Sequence, residues 1–114
     1  MDKIFEELNL AITVCKADGE IIGMNRKSKA VNLRPGQDSI IGQNVLDCHP
    51  EPARTKLQEL LDKQATNAYT IEKNGVKKLI YQTPWYENGE FRGLVEFSLE
   101  IPFEMPHYVR QPKQ

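Results

Sequence analysis

Cys48 and His49 stand side by side in the sequence, and their side chains are the ones best suited to chemistry. A neutral imidazole can bind haem iron as an axial ligand, so His49 is a candidate haem ligand; a capping or hydrogen-bonding role is the alternative. A thiol near a helix N-terminus can act as a nucleophile, which would be the chemical role of Cys48. Neighbouring side chains seldom point at each other, and the sequence shows no third group to orient the imidazole. We therefore expect no catalysis by Cys48.

Side chains that could bind a metal are scattered along the chain. The four candidates for a zinc site are Cys15, Cys48, His49 and His107. They lack the paired ligand spacing that is typical of zinc sites. Met24 or Met105 could supply a second haem ligand, although methionine more often fills a core. Because glycine-rich phosphate loops, HExxH runs and paired carboxylates are also missing, the sequence predicts neither a metal site nor an enzyme.

The composition restricts the classes of function further. A chain of 114 residues is long enough for one domain with its own core. Its 15 basic and 16 acidic residues give a net charge of −1, which argues against nucleic acid and against a membrane surface as partners. The charged start of the chain does not resemble a signal peptide, and no apolar run approaches the roughly 20 residues that span a bilayer. Two isolated cysteines predict a reduced, cytoplasmic protein.

The first half of the chain predicts a helix, a β-hairpin and a second, longer helix. Apolar residues at helical spacing predict the first helix over residues 2–8. An Asp-Gly turn at 18–19 separates strands predicted over 10–17 and 21–24. The longer helix is predicted over 50–65, with short helical turns over 25–33 and 42–46. Its apolar stripe consists of Ala53, Leu57, Leu60 and Leu61.

The second half predicts three strands joined by tight turns. Asn-Gly at 74–75 and at 88–89 is the strongest short signal for a hairpin. The strands are predicted over 69–73, 76–86 and 91–99. Their aromatic residues either pack in the core or form a flat face for dimerisation or a partner. These aromatic residues are Tyr69, Tyr81, Trp85, Phe91 and Phe97.

Together these elements predict an α+β fold, in which a five-stranded antiparallel sheet carries helices on one face. We expect an N-terminal helix over 1–8, the domain itself over 9–101, and an extended proline-rich tail over 102–114. A hollow between the helices and the sheet is where a ligand would bind. The opposite sheet face would need a cover, and the apolar side chains of the N-terminal helix could provide it, in the same chain or from a second subunit.

The order of elements and three short motifs resemble the PAS domain family. Residues 12–25 (ITVCKADGEIIGMN) are similar to the family's opening of apolar strand, Asp-Gly, apolar strand and Asn. Residues 42–47 (GQNVLD) are similar to the stretch before its long helix, and 88–96 (NGEFRGLVE) to its closing hairpin. The Cys-His-Pro run at 48–50 resembles a branch of PAS domains found in hemerythrin-like proteins. The resemblance spans roughly residues 9–101.

The resemblance implies a non-enzymatic sensory or regulatory domain that binds a small ligand in the hollow and signals through dimer or partner contacts. The expected ligand-binding residues are Val45, Leu46, His49, Leu57 and Tyr81. One alternative is a pure interaction module, with a filled core and no ligand. A second alternative is a haem-based gas or redox sensor that uses His49. We expect a homodimer and an output through a separate signalling protein, because no kinase, cyclase or DNA-binding segment is present.

Overall fold

A computed structural model describes residues 1–113 as an α+β structure built on one sheet. The elements are α1 (Lys3–Glu6), β1 (Ala11–Lys16), β2 (Ile21–Met24), α2 (Arg26–Asn32), α3 (Ala53–Lys63), β3 (Asn67–Lys73), β4 (Val76–Glu87) and β5 (Glu90–Ile101). The strands are antiparallel in the order β2-β1-β5-β4-β3. The predicted five-stranded antiparallel sheet and α+β class are therefore confirmed.

The two Asn-Gly hairpins of the second half form as predicted. Asn74 and Asn88 have φ angles of 53° and 52°, and the glycines that follow them have φ angles of 78° and 79°. Two successive residues with positive φ are the geometry of the tight turn whose twist matches that of paired strands. These turns fix the register of β3, β4 and β5, so that Tyr81 pairs with Phe97 and Gln82 with Glu96.

The first and the longer helix are both shorter than predicted. The first helix covers only Lys3–Glu6, and α3 begins at Ala53 rather than at residue 50. Residues 102–113 form neither helix nor strand, as expected for the proline-rich tail, and Gln114 of the predicted tail lies outside the described residues.

The predicted helical turn over 42–46 is wrong, because this segment pairs with the first hairpin. The Gln43 carbonyl accepts a hydrogen bond from the Ile21 N–H at 2.8 Å, and the Val45 N–H donates to the Gly19 carbonyl at 2.9 Å. Gly19 has a φ of +92°, and a Cβ there would meet the Asn44 side chain. Backbone pairing with the hairpin thus replaces local helix formation and holds the segment against Ile21, the first residue of β2.

Asn25 ties the beginning of the chain to the first hairpin and to α2. Its side-chain oxygen accepts hydrogen bonds from the N–H groups of Ile12 at 2.9 Å and Ser28 at 3.0 Å. Its side-chain nitrogen donates to the carbonyls of Phe5 at 2.9 Å and Leu10 at 2.8 Å. Asn25 is fully buried, and these four bonds give its side-chain oxygen and its side-chain nitrogen two hydrogen-bond partners each.

The sheet has an inner face, toward α2 and α3, and an outer face. Alternation along the strands assigns Thr13, Cys15, Gln82, Leu94 and Glu96 to the inner face. The apolar core lies between this face and α3. It consists of Cys15, Ile21, Met24, Ile40, Val45, Leu57, Leu60, Leu61 and Leu94.

The outer face is the more apolar of the two faces. Its side chains from β4 and β5 are mostly half-buried: Leu79, Tyr81, Thr83, Trp85, Val95, Phe97 and Leu99. The apolar residues of the N-terminal segment are not buried on it, because Ile4, Phe5 and Leu8 are 72%, 45% and 38% exposed. Along the described chain, the expected cover for this face is therefore incomplete.

Candidate functional site

A cavity of about 350 Å³ lies between the inner face of the sheet, α3 and the segment that follows α2. Its volume is at the lower end of the range typical of small-molecule sites. Its apolar wall is formed by Cys15, Ile21, Ile40, Val45, Leu57 and Leu94.

A chain of polar side chains crosses the sheet side of the cavity. Asn67 donates from its side-chain nitrogen to the Gln82 oxygen at 3.1 Å, and Gln82 donates from its nitrogen to Glu96 Oε1 at 2.9 Å. Gln82 and Glu96 lie side by side on β4 and β5, and Thr13 of β1 lies on the other side of Glu96. Each of these three residues lines the cavity. Because hydrogen bonds hold the amides in place, the polar side of the site is formed before any ligand binds.

The Thr13 hydroxyl extends this polar side toward α2. Its oxygen lies 2.5 Å from the Ser28 hydroxyl, which in turn accepts a hydrogen bond from the Asn32 side chain at 3.2 Å. Ser28 is fully buried, whereas Asn32 reaches the cavity. The α2 helix therefore contributes to the site through a short hydrogen-bonded chain of its own.

His49 borders the cavity with one ring nitrogen already engaged. Its Nδ1 lies 2.7 Å from the Val45 carbonyl oxygen. A carbonyl oxygen can only accept, so Nδ1 carries the hydrogen and, in the neutral ring, Nε2 keeps its lone pair. The half-buried imidazole can thus accept a hydrogen bond from a ligand or bind a metal through Nε2.

Charged residues with and without an ion-pair partner border the cavity. Asp47 is paired with Arg54, whose Nη1 lies 3.2 Å from Asp47 Oδ1. Arg34 and Glu96 also line the cavity, and none of the ion pairs found within residues 1–113 includes either of them. Glu96 is half-buried on the central strand, whereas Arg34 is exposed in the loop after α2.

The negative charge of Glu96 affects two neighbours on the inner face. Burial raises the pKa of the Cys15 thiol, and the charges of Asp18 and Glu96 raise it further, against a backbone hydrogen bond at Leu94. Burial also raises the pKa of the Tyr69 hydroxyl, again with a contribution from Glu96. Both shifts have the sign expected for acids that lose hydration near a carboxylate.

Three of the five predicted ligand-binding residues line the cavity, and two do not. Val45, His49 and Leu57 are brought together there. Leu46 is instead packed against the apolar core. Tyr81 is 40% exposed on the outer face, because its neighbour Gln82 points to the cavity and successive side chains of a strand alternate. The structure therefore does not bring Leu46 and Tyr81 to the cavity.

Sequence reasoning missed the polar residues of the site, above all Thr13, Gln82, Glu96 and Arg34. The three strand residues were overlooked because polar positions of an alternating strand are expected to face solvent. A usable signal exists nonetheless. Gln82 and Glu96 stand in the two long strands of the second half, where polar residues at facing positions indicate a wet inner face.

The cavity does not fit a porphyrin, although the free Nε2 of His49 would suit haem iron. A cavity at the lower end of the range typical of small-molecule sites is small for a porphyrin macrocycle. Neither Met24, which is buried in the core, nor Met105, which is exposed in the tail, lines the cavity. We derive no chemistry through haem.

The two cysteines occupy different environments. Cys15 is buried in the core, and Cys48 is exposed at the cavity edge; neither forms a disulfide. Within residues 1–113, no three side chains of His, Cys, Asp or Glu converge as a metal site would require. In the same part of the chain, no helix is long and apolar enough to cross a membrane.

No family model and no curated protein matches the sequence. Solved structures, however, match the fold over most of its length. The PAS domain of a protein from Colwellia psychrerythraea is 24% identical, with a TM-score of 0.62 over 87% of this chain and 92% of that chain. A sensory box sensor histidine kinase from Vibrio cholerae is 13% identical, with a TM-score of 0.65 over 90% and 89%. The PAS domain of BvgS from Bordetella pertussis is 12% identical, with a TM-score of 0.64 over 87% and 82%. The chain therefore has the PAS fold, as the resemblance of its motifs predicted.

Proposed function

We propose that this PAS-fold domain is a non-enzymatic sensor that binds a small polar molecule in the cavity between its sheet and its helices. The observation that carries the proposal is the cavity of about 350 Å³ with a hydrogen-bonded polar side. A core filled by large side chains, as a pure interaction module would have, leaves no such space. A sensory box sensor histidine kinase and the PAS domain of another histidine kinase share the fold, which supports a signalling role.

The contrast between the two walls supports a ligand that is polar on one side. One wall consists of apolar side chains such as Leu57 and Leu94, and the other presents the amide of Gln82 and the carboxylate of Glu96. Small-molecule sites commonly combine an apolar lining with a few fixed polar groups that orient the ligand. The imidazole of His49 adds an acceptor at the edge of the site.

Native mass spectrometry of the gently purified protein tests the proposal. We expect a bound small molecule, released on denaturation, in the unmodified protein. The matched control is Val45→Phe, in which a ring replaces a small, buried side chain of the cavity wall. The variant should fold and lose the bound mass. An unmodified protein that carries no adduct, and gains none from a low-molecular-mass cell extract, would contradict the proposal.

The outer face of the sheet supports a second part of the proposal, which is signalling through a homodimer. The half-buried Phe97, beside Tyr81 at 40% exposure, lies on the same face as Val95 and Leu99. Aromatic and aliphatic side chains of this kind form the centre of protein interfaces. Because Glu96 and Phe97 are neighbours on β5, a ligand that moves this strand also moves the outer face.

Sedimentation measurements test the dimer. We expect the unmodified protein to associate and Tyr81→Glu to be monomeric with unchanged folding, because a charge is placed on an exposed position of the outer face. A monomeric unmodified protein would leave partner docking as the use of this face. We further propose a cytoplasmic location, which suits a protein with two free thiols.

A further inference from the structure

Only one of the three charged side chains that line the cavity is paired within residues 1–113. Asp47 forms an exposed ion pair with Arg54, which leaves one carboxylate, Glu96, and one guanidinium, Arg34, that line the same cavity. Neither takes part in an ion pair within residues 1–113. The charges of opposite sign are therefore available to a ligand, one at the central strand and one at the loop.

Glu96 offers a partly desolvated acceptor. Its Oε1 receives a hydrogen bond from Gln82 at 2.9 Å, and Gln82 is itself fixed by Asn67. Within residues 1–113 its Oε2 receives no hydrogen bond and is not buried, so it is open to water or to a ligand. A carboxylate that loses hydration is stabilised by a cation or by further donors. An ammonium group in the cavity would supply both the charge and the donors.

Arg34 offers the opposite charge at the edge of the cavity. Its backbone N–H donates to the Gln37 side-chain oxygen at 2.8 Å, which closes the loop that carries it. A guanidinium group presents parallel donors whose geometry matches a carboxylate. A ligand carboxylate could thus be bound by Arg34 within the cavity that Leu57 and Leu94 also line.

We propose that the cavity binds a small zwitterion of the amino-acid class, with its ammonium group on Glu96 and its carboxylate on Arg34. This rests on the proposed sensor function and names its ligand. A ligand with carboxylates alone would be repelled by Glu96, and an amine alone would leave Arg34 without a partner. A cavity of about 350 Å³, at the lower end of small-molecule sites, suits a ligand of the size of one amino acid.

Thermal-shift measurements with each of the twenty genetically encoded amino acids provide the first test. At least one should raise the unfolding temperature of the unmodified protein. Its deaminated acid and its decarboxylated amine serve as matched probes, and both should bind at least tenfold more weakly. Calorimetric titration of Glu96→Gln, which keeps the shape and removes the charge, should show a loss of affinity of tenfold or more.

Arg34→Gln is the second variant. Because Arg34 is exposed in a loop, we expect this variant to fold, so that a lower affinity reports the lost contact with the ligand. It should weaken the amino acid at least tenfold and leave the decarboxylated amine unaffected. Equal affinity in Glu96→Gln, or binding only of molecules that lack one of the two charges, would overturn the zwitterion and leave the sensor function standing. If no compound and no cell extract binds, the sensor function fails as well.

Discussion

Asn25 and Gln82 are both buried carboxamides, with 0% and 6% of their surface exposed, but they have different surroundings. Asn25 forms four hydrogen bonds, all to backbone groups, and joins the N-terminal segment, β1 and α2. Within residues 1–113, the side chain of Gln82 forms hydrogen bonds to the side chains of Asn67 and Glu96 and lines the cavity. The first cluster is closed and holds the fold. The second is open toward a space that a ligand can fill.

The largest effect is expected when the closed cluster is broken. Asn25→Leu leaves the N–H groups of Ile12 and Ser28 and the carbonyls of Phe5 and Leu10 without the side chain that satisfied them. At about 1–3 kcal/mol for each buried unsatisfied group, partly relieved by water, we expect a loss of about 3–5 kcal/mol in the free energy of unfolding. Urea denaturation measures this loss.

Asn25→Asp is the matched control for this substitution. It keeps the oxygen that serves the two N–H groups but loses the two donors, so the loss of stability should be intermediate. A loss below about 1 kcal/mol in Asn25→Leu would show that the cluster is not what holds the N-terminal segment to the hairpin.

The second effect concerns Gly19, which lies where the hairpin meets the cavity segment. Gly19→Ala forces a side chain onto a φ of +92° and places its Cβ 3.0 Å from Asn44 Cγ. We expect a loss of about 1–3 kcal/mol from the strained backbone. Ligand affinity should fall too, because the contact between Gly19 and Val45 holds the segment at the cavity. Gly75→Ala, at a φ of +78° in an open turn, separates backbone strain from the clash.

Gln82→Leu sharpens the comparison with Asn25 most directly. Gln82 and its partner Glu96 both line the cavity, so water can replace the lost amide. We expect a loss of about 1 kcal/mol, well below that of Asn25→Leu, together with a loss of ligand binding. Equal losses of stability for the two substitutions would mean that both clusters serve the fold.

Alkylation of the two cysteines checks the burial that separates the regions. Cys48 should react with iodoacetamide quickly and be protected by bound ligand, whereas Cys15 should react only through unfolding.

Because burial raises the pKa of Cys15 above 9.0, the unfolded state loses the thiol proton first as pH rises. Stability from this residue is therefore present at neutral pH and falls above about pH 9, an effect that Cys15→Ala removes.

The smallest effect lies at the start of α3. The Glu51 carboxylate accepts hydrogen bonds from the Thr55 hydroxyl and N–H, and these bonds lower its pKa below 4.5. Its contribution to stability is present above that value and is lost as the pH falls through the lowered pKa. The difference in unfolding midpoint between the unmodified protein and Glu51→Gln should shrink as the pH falls below 4.5. A difference that stays constant would contradict this cap.

The sequence predicted the strands and their turns because local signals determine them. Asp-Gly and Asn-Gly fix the hairpins, and alternation fixes which residues share a face. It did not determine which face meets the helices. Tyr81 was expected at the ligand site, yet its neighbour Gln82 and Glu96 line the cavity. An inner face that borders a polar cavity and an outer face that is apolar reverse the usual hydrophobic pattern of a sheet with one covered face.

One measurement compares the two clusters in a single sample. In a ¹⁵N–¹H spectrum, the side-chain amide signals of Asn25 and Gln82 can be followed as the low-molecular-mass fraction of a cell extract is added. A ligand in the cavity should shift the Gln82 signals and leave those of Asn25 in place. If neither amide responds to any fraction, or both respond equally, the cavity is not a binding site distinct from the core that holds the fold.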